Sequence, residues 1–353
     1  MWKPATFAVE SFVSWFVNKM LIKPGANKVS RQEIEAWFEN FPKNDPRSYF
    51  MPNRPFLPVP RDWLKDESKH GDATMADFAF PSDINTGNER NDTVRGKALL
   101  HPGRAQSPAV ILLHGWLTPG HHQSMSVAKD LVGQGYSTYM MELPQHMRRT
   151  PKGKFSGSTF INPDLRKFYG AIQQSVADVH KLIQLLQRKG HNQIHLMGIS
   201  FGAYISTIVS SCPPDPRKLK SLTLVMPVVD LGYTFANSPI LSKGRELLEL
   251  HDITMDELSE LFAPLKTSNF RPLLPRERIL LVNASHDRVS YAHKVRELWK
   301  EWNYPHLFEE PQGHVSMIFA REPFRRIVDH LGQFTQSHGY LNDTNPHPQT
   351  VLL

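Results

Sequence analysis

Two rhythms of apolar residues alternate along the chain. Short apolar blocks stand at Ala109–His114, Ser137–Leu143, Gln193–Ser200, Ser221–Val229, Arg278–Ala284 and His306–Glu310. Between them run longer stretches in which apolar residues recur every three or four positions: Gln123–Gln134, Pro163–Lys189, Tyr291–Trp302 and one from about Val315 to Gln336. The blocks have the length of buried strands and the stretches the period of helices, with Gly135 and Gly190 as stop signals. Such alternation predicts right-handed βαβ crossovers and an α/β fold, a mostly parallel, doubly wound sheet with helices on both faces. Upstream, Met75–Phe80 and Thr93–Leu100 flank the turn-rich segment Asp83–Asn91, which predicts an antiparallel pair.

Three stretches break the rhythm. From Phe7 to Leu21, Val9, Phe12, Val13, Phe16, Val17 and Met20 share one helical face, opposite Glu10, Ser11, Ser14 and Asn18. Polar residues interrupt it too often for a membrane span, and it lacks the form of a signal peptide. With Lys19, Lys23, Lys28 and Arg31 behind it, this helix suits a membrane surface, although packing on the domain or on a partner subunit is the plainer reading. The proline-rich segment Pro42–Pro60 is an ordered wrap, because Phe50, Phe56 and Trp63 give it something to bury. Asp230 to Pro275, with helices at Leu241–Leu250 and Met255–Phe262, sits where a cap over a site would. The expected organisation is a helical and proline-rich extension over 1–70, an α/β sheet domain over 71–336 with the cap insertion at 230–275, and a C-terminal tail over 337–353.

Composition narrows the picture modestly. The 353 residues carry 41 basic and 34 acidic side chains, net +7, which favours anionic partners without fixing any. No basic and aromatic module of nucleic-acid type is visible, so nucleic acid is not an expected partner. The single cysteine, Cys212, excludes an internal disulfide and a cysteine-based zinc cluster, and fits a cytoplasmic protein. Its place near the helix after Ser200 makes it a packing residue.

The chemistry gathers at Gly198-Ile199-Ser200-Phe201-Gly202, where an apolar strand meets a helical run. A serine on so sharp a turn projects its hydroxyl from the sheet end, and the small neighbours let strand and helix backbones approach. A hydroxyl needs a base, and the base needs an acid to hold its tautomer. In an open parallel sheet these groups meet in loops at the carboxyl ends of strands. Ser200 follows the fifth strand by this count, Asp287 the strand Ile279–Ala284, and His314 the strand ending at Glu310. Asp230, after Val229, is the other candidate acid, and Glu142 is a structural carboxylate. His114 shapes its turn by hydrogen bonding, and His121 and His122 lack the spacing of a metal site. Arg148, Arg149, Lys152 and Lys154 make a basic cluster that is either a solvated loop or, for Arg148 and Arg149, a seat for an anionic part of the substrate.

Leu113-His114-Gly115-Trp116, the Gly198–Gly202 turn, Ser285-His286-Asp287-Arg288-Val289 and Gln312-Gly313-His314, in this order, resemble the α/β-hydrolase superfamily from about Met75 to Gln336. More loosely, the layout around His121-His122 is similar to its abhydrolase-18-like branch. The resemblance implies a serine hydrolase acting on a small-molecule or lipid ester, with no metal and no organic cofactor. It implies a Ser200–His314–Asp287 triad and an oxyanion hole from the amides of Trp116 and Phe201. Leu143-Pro144-Gln145-His146 departs from the family's usual form, because Gln145 and Met147 stand where glycines are common. Acyl transfer, thioester or lipid hydrolysis with the same residues, and a binding protein on this fold, remain alternatives. A homo-oligomer is equally open.

Overall fold

The computed structural model describes residues 11, 13–15, 17–18, 30–51, 57–103, 107–162, 164–212, 219–249, 254–336 and 351–352. Val9, Phe12, Phe16, Met20, Lys19, Lys23, Lys28, Phe56 and most of the tail over 337–353 lie outside them.

One ten-stranded sheet organises the chain, in the order β1-β2-β3-β5-β4-β6-β7-β8-β9-β10. Its strands are β1 (Leu64–His70), β2 (Ala73–Pro81), β3 (Thr93–Leu100), β4 (Ala109–Leu113), β5 (Ser137–Met141), β6 (Ile194–Ile199), β7 (Leu219–Val225), β8 (Ile279–Ala284), β9 (His306–Glu310) and β10 (Val351–Leu352). β1, β2, β3 and β5 pair antiparallel, and every other pairing is parallel. β4, β5, β6 and β8 are buried at every residue, as continuous apolar blocks covered on both faces must be. β1 was not foreseen. Its sequence, Leu-Lys-Asp-Glu-Ser-Lys-His, has no apolar alternation, and its exposed charges suit a sheet edge.

Besides the single helical turn Glu89–Asp92, the α-helices are α1 (Arg31–Glu39), α2 (Pro46–Phe50), α3 (His122–Gly133), α4 (Leu165–Arg188), α5 (Phe201–Ser211), α6 (Leu231–Asn237), α7 (Ser242–Glu249), α8 (Met255–Phe262), α9 (Ala292–Glu301), α10 (His314–Phe319) and α11 (Arg321–Gln336). The single helix expected from Val315 to Gln336 is instead two, parted at the extended Ala320. Pro323 supplies the reason: its ring would clash with the carbonyl of Phe319, four residues back. Among the described residues no helix is long and apolar enough to cross a membrane.

Both outlying segments dock on the sheet domain. Trp37, Phe41 and Tyr49 surround Tyr169 of α4, with ring centroids 5.0, 5.0 and 6.2 Å away. Phe50 and Trp63 are buried, and Trp63 stacks on Tyr139 of β5 at 6.0 Å. In the insertion after β7, Phe262 of α8 meets Phe168 of α4 edge-on at 5.8 Å. Near the N-terminus, Val17 is buried, and Asn18 donates to Pro239 O and accepts from Lys243 N. That segment therefore packs against the insertion, and Val13 and Ser14 share a small cavity with Val289 and Val315, neighbours of Asp287 and His314.

Candidate active site

The turn at Ser200 is tight because two glycines leave no room for anything else. A Cβ on Gly198 would lie 2.3 Å from Gly202 O, and one on Gly202 would lie 2.4 Å from Leu113 O. Gly115, on the neighbouring β4 loop, is close but less confined, with its notional Cβ 3.2 Å from that of Ser200. Ser200 itself holds φ 55°, ψ −118°, a conformation costly for a residue with a Cβ. Its amide donates to Val225 O at 2.8 Å, which anchors the turn to β7.

From that turn a continuous hydrogen-bonded chain runs through three loops. Ser200 Oγ lies 2.8 Å from His314 Nε2, and His314 Nδ1 lies 2.7 Å from Asp287 Oδ2. Ser200, Asp287 and His314 are 7, 6 and 5% exposed, so water competes little for these bonds. The other oxygen of Asp287 accepts the amides of Val289 and Ser290 at 2.7 and 2.9 Å, fixing the carboxylate by an Asx turn. Ser290 is a member of the site that the sequence reading missed. Its hydroxyl donates to Met226 O at 3.0 Å and sits 3.2 Å from His314 Nδ1, so it braces the imidazole. The available signal was local: a serine three residues after an Asp expected to turn the chain.

Asp230 does something else. Its Oδ1 caps α6 through Tyr233 N at 2.9 Å, and its Oδ2 faces Lys266 Nζ at 3.4 Å. Asp287, not Asp230, is the carboxylate on His314.

The turn after β4 is held by two buried histidines. His114 donates from Nδ1 to Gly115 O and accepts Leu143 N at Nε2, 2.8 and 3.1 Å. His146 donates from Nδ1 to Pro144 O, leaving Nε2 to accept Leu117 N at 3.3 Å. Burial pushes His114 down to about 4 and His146 well below its ordinary value, so both work as neutral rings. Trp116 Nε1 donates to Gly157 O at 2.9 Å. Phe201 N is the first amide of α5 and has no helical carbonyl to bond. Gln145 and Met147 keep the backbone that glycine would favour, with φ 62° and 48°. Met147 N is secured by Ser156 Oγ, and Gln145 N by Asn91 Oδ1, both at 2.8 Å.

Arg149 is not available to a substrate, which corrects one expectation. It is wholly buried, ion-paired with Asp178 at 2.8 Å and bonded to Asn91 O and Glu142 O. Arg148 is partly exposed but engaged by Glu142 and Asp77 at 2.6 and 3.2 Å. Burial alone would raise the Glu142 carboxyl, yet His121 and Arg148 hold it below its ordinary range. Cys212 is buried, its thiol raised to about 11 by desolvation. Among the described residues no group of three or more His, Cys, Asp or Glu side chains is arranged to hold a metal ion.

Residues 108–242 match the family model of the α/β hydrolase fold. Over 92 residues the chain is 26% identical to the uncharacterized protein YdjC of Bacillus subtilis (strain 168), covering 26% of this chain and 79% of that one. Among solved structures it is similar to acetyl xylan esterase 1 of a Thermoanaerobacterium species, with 14% identity, a TM-score of 0.58, and 91% and 96% of the two chains covered. A cold-adapted esterase from an Arctic intertidal metagenomic library gives 17% identity and a TM-score of 0.52, over 78% of this chain and 99% of that one. With its parallel sheet, its glycine-framed serine turn and these likenesses, the chain has the α/β-hydrolase fold.

Proposed function

We propose that the chain is a serine hydrolase that cleaves a carboxylic ester through an acyl-enzyme. The observation that carries this reading is the unbroken chain Ser200 Oγ, His314 Nε2, His314 Nδ1, Asp287 Oδ2, with links of 2.8 and 2.7 Å. Ser200 Oγ attacks the ester carbonyl carbon and its proton passes to His314 Nε2. Asp287 keeps the other imidazole proton on Nδ1 and stabilises the imidazolium. The tetrahedral oxyanion is received by the amides of Trp116 and Phe201; one such donor is worth ~3 kcal/mol. His314 then gives its proton to the departing alkoxide as the C–O bond breaks. Water attacks the acyl-serine, its proton taken by His314, and the acid leaves as Ser200 is restored.

An ester substrate is in keeping with the esterases whose fold the chain shares. The test is labelling by a fluorophosphonate, which reacts only with an activated serine. Wild type should label and Ser200→Ala should not, while a panel of esters of increasing acyl length gives turnover that Ser200→Ala loses by a factor of ~10⁴ or more. Labelling that survives Ser200→Ala would sink the assignment.

A further inference from the structure

A cavity of about 800 Å³, walled by none of Ser200, Asp287, His314, Trp116 or Phe201, lies between the start of α3, strands β2 and β3, and the loop 147–156. Its volume suits a small organic ligand. Glu142 is the one carboxylate among its lining residues, against Arg90, Lys97, Arg148, Lys152 and Lys154. Glu142 and Asp77 neutralise Arg148 and Lys97. Arg90, Lys152 and Lys154 form no ion pair among the described residues. Positive charge is therefore left over in the lining.

One further feature borders the same space. Gly120, His121 and His122 line it where α3 begins, and the helix cap makes no side-chain bond, which leaves first-turn amides for an anion. The remaining wall is apolar, formed by Met75, Met125, Met147 and Phe155. One carboxylate would leave most of the surplus charge unanswered. A phosphate dianion, with three acceptor oxygens, answers most of it.

We infer that this cavity is a second, non-catalytic site for a phosphomonoester, whose organic part rests on Met75, Met125 and Phe155. The phosphate is held by Arg90, Lys152, Lys154 and the start of α3. The group can come from a soluble metabolite or from a lipid headgroup, and the same side chains would recognise either. The site stands independently of the chemistry at Ser200.

The experiment is titration calorimetry on the full chain, with phenyl phosphate, benzoate and phosphatidic-acid vesicles as separate arms. Phenyl phosphate should bind wild type and Ser200→Ala with equal Kd, and benzoate at least about tenfold more weakly. The double variant Lys152→Ala/Lys154→Ala and the single Arg90→Ala, all at exposed positions, should keep the wild-type melting temperature. Each should weaken phenyl phosphate by about tenfold or more. Binding to vesicles alone, lost in the double variant, would keep the site and assign its ligand to a lipid. The inference is overturned by millimolar phenyl phosphate and the vesicles both failing to bind, by benzoate binding equally well, by affinity untouched in the double variant, or by affinity lost in Ser200→Ala.

Discussion

The loop after β8 and the loop after β5 leave the same edge of the sheet, and both carry charged residues that stand out in the sequence. After β8, Asp287 turns the chain with its own carboxylate and presents the other oxygen to His314. After β5, Arg148 and Arg149 are adjacent, yet one lines a cavity and the other vanishes into the core against Asp178. In the first loop the site carboxylate is fixed by the loop's own amides, whereas in the second Arg148 and Arg149 are fixed largely by partners far along the chain: Asp77, Asn91 and Asp178. A charged residue belongs to a site when the local turn aims it there. When distant groups aim it, position in sequence says little.

The sharpest way to break the comparison is to exchange carboxylates. Asp287→Asn should lower kcat by about 10⁴-fold while the protein stays folded, because an amide no longer stabilises the imidazolium. Asp230→Asn should leave kcat within about twofold and cost less than ~1 kcal/mol, since Asn caps a helix nearly as well as Asp. Ester turnover and urea unfolding of both variants check this pair. A large kcat loss in Asp230→Asn would reverse the roles.

Next in size is the buried arginine. Arg149→Ala should cost ~3–5 kcal/mol, because it strands the Asp178 carboxylate in the core. Replacing both partners, Arg149→Met with Asp178→Leu, should recover most of that loss. Urea midpoints at constant m-value give both numbers. If instead Arg149→Ala is as stable as wild type and raises KM, the arginine serves substrate after all.

What the sequence revealed follows the same division. The elbow, the order Ser200, Asp287, His314 and the parallel strands were legible because each depends on a short apolar block and the turn that ends it. Three things were not. β1 carries no apolar period, since only its pairing with β2 makes it a strand. Ser290 takes part through Met226, on the neighbouring strand end. Arg149 looks like any surface arginine until Asp178, on α4, comes up beside it.

Histidines divide in the same way, and pH separates them. His114 and His180 are pushed to about 4 and His195 to about 3, each chiefly by burial. Their folded values lie below the unfolded one, so between pH 6.5 and 4 the unfolded chain binds more protons. Stability should therefore fall as pH falls through that window, by up to ~1.4 kcal/mol per pH unit for each such ring. Unfolding free energies at pH 7, 6, 5 and 4 test the slope, and His195→Asn should flatten it. A slope unchanged by that variant would remove His195 from the account.

The smallest expected effect concerns strain. Ser200 and Gln145 both hold positive φ, 55° and 62°. At Ser200 the strain aims a nucleophile, whereas the hydrogen bonds of Gln145 come from its backbone, to Asn91, Thr150 and Gly157. Glycine at either position relieves ~1–2 kcal/mol of left-handed strain, offset by ~0.5–1 kcal/mol of extra chain entropy when unfolded. Gln145→Gly should therefore gain ~0.5 kcal/mol or slightly more with ester turnover unchanged. Ser200→Gly should show a similar gain with turnover abolished. A shift in urea midpoint reads both. A loss of more than ~1 kcal/mol in Gln145→Gly would mean that its side chain, not only its backbone, holds the loop after β5 in place. The Gln145 side chain would then hold its own loop, as the Asp287 carboxylate does in the loop after β8.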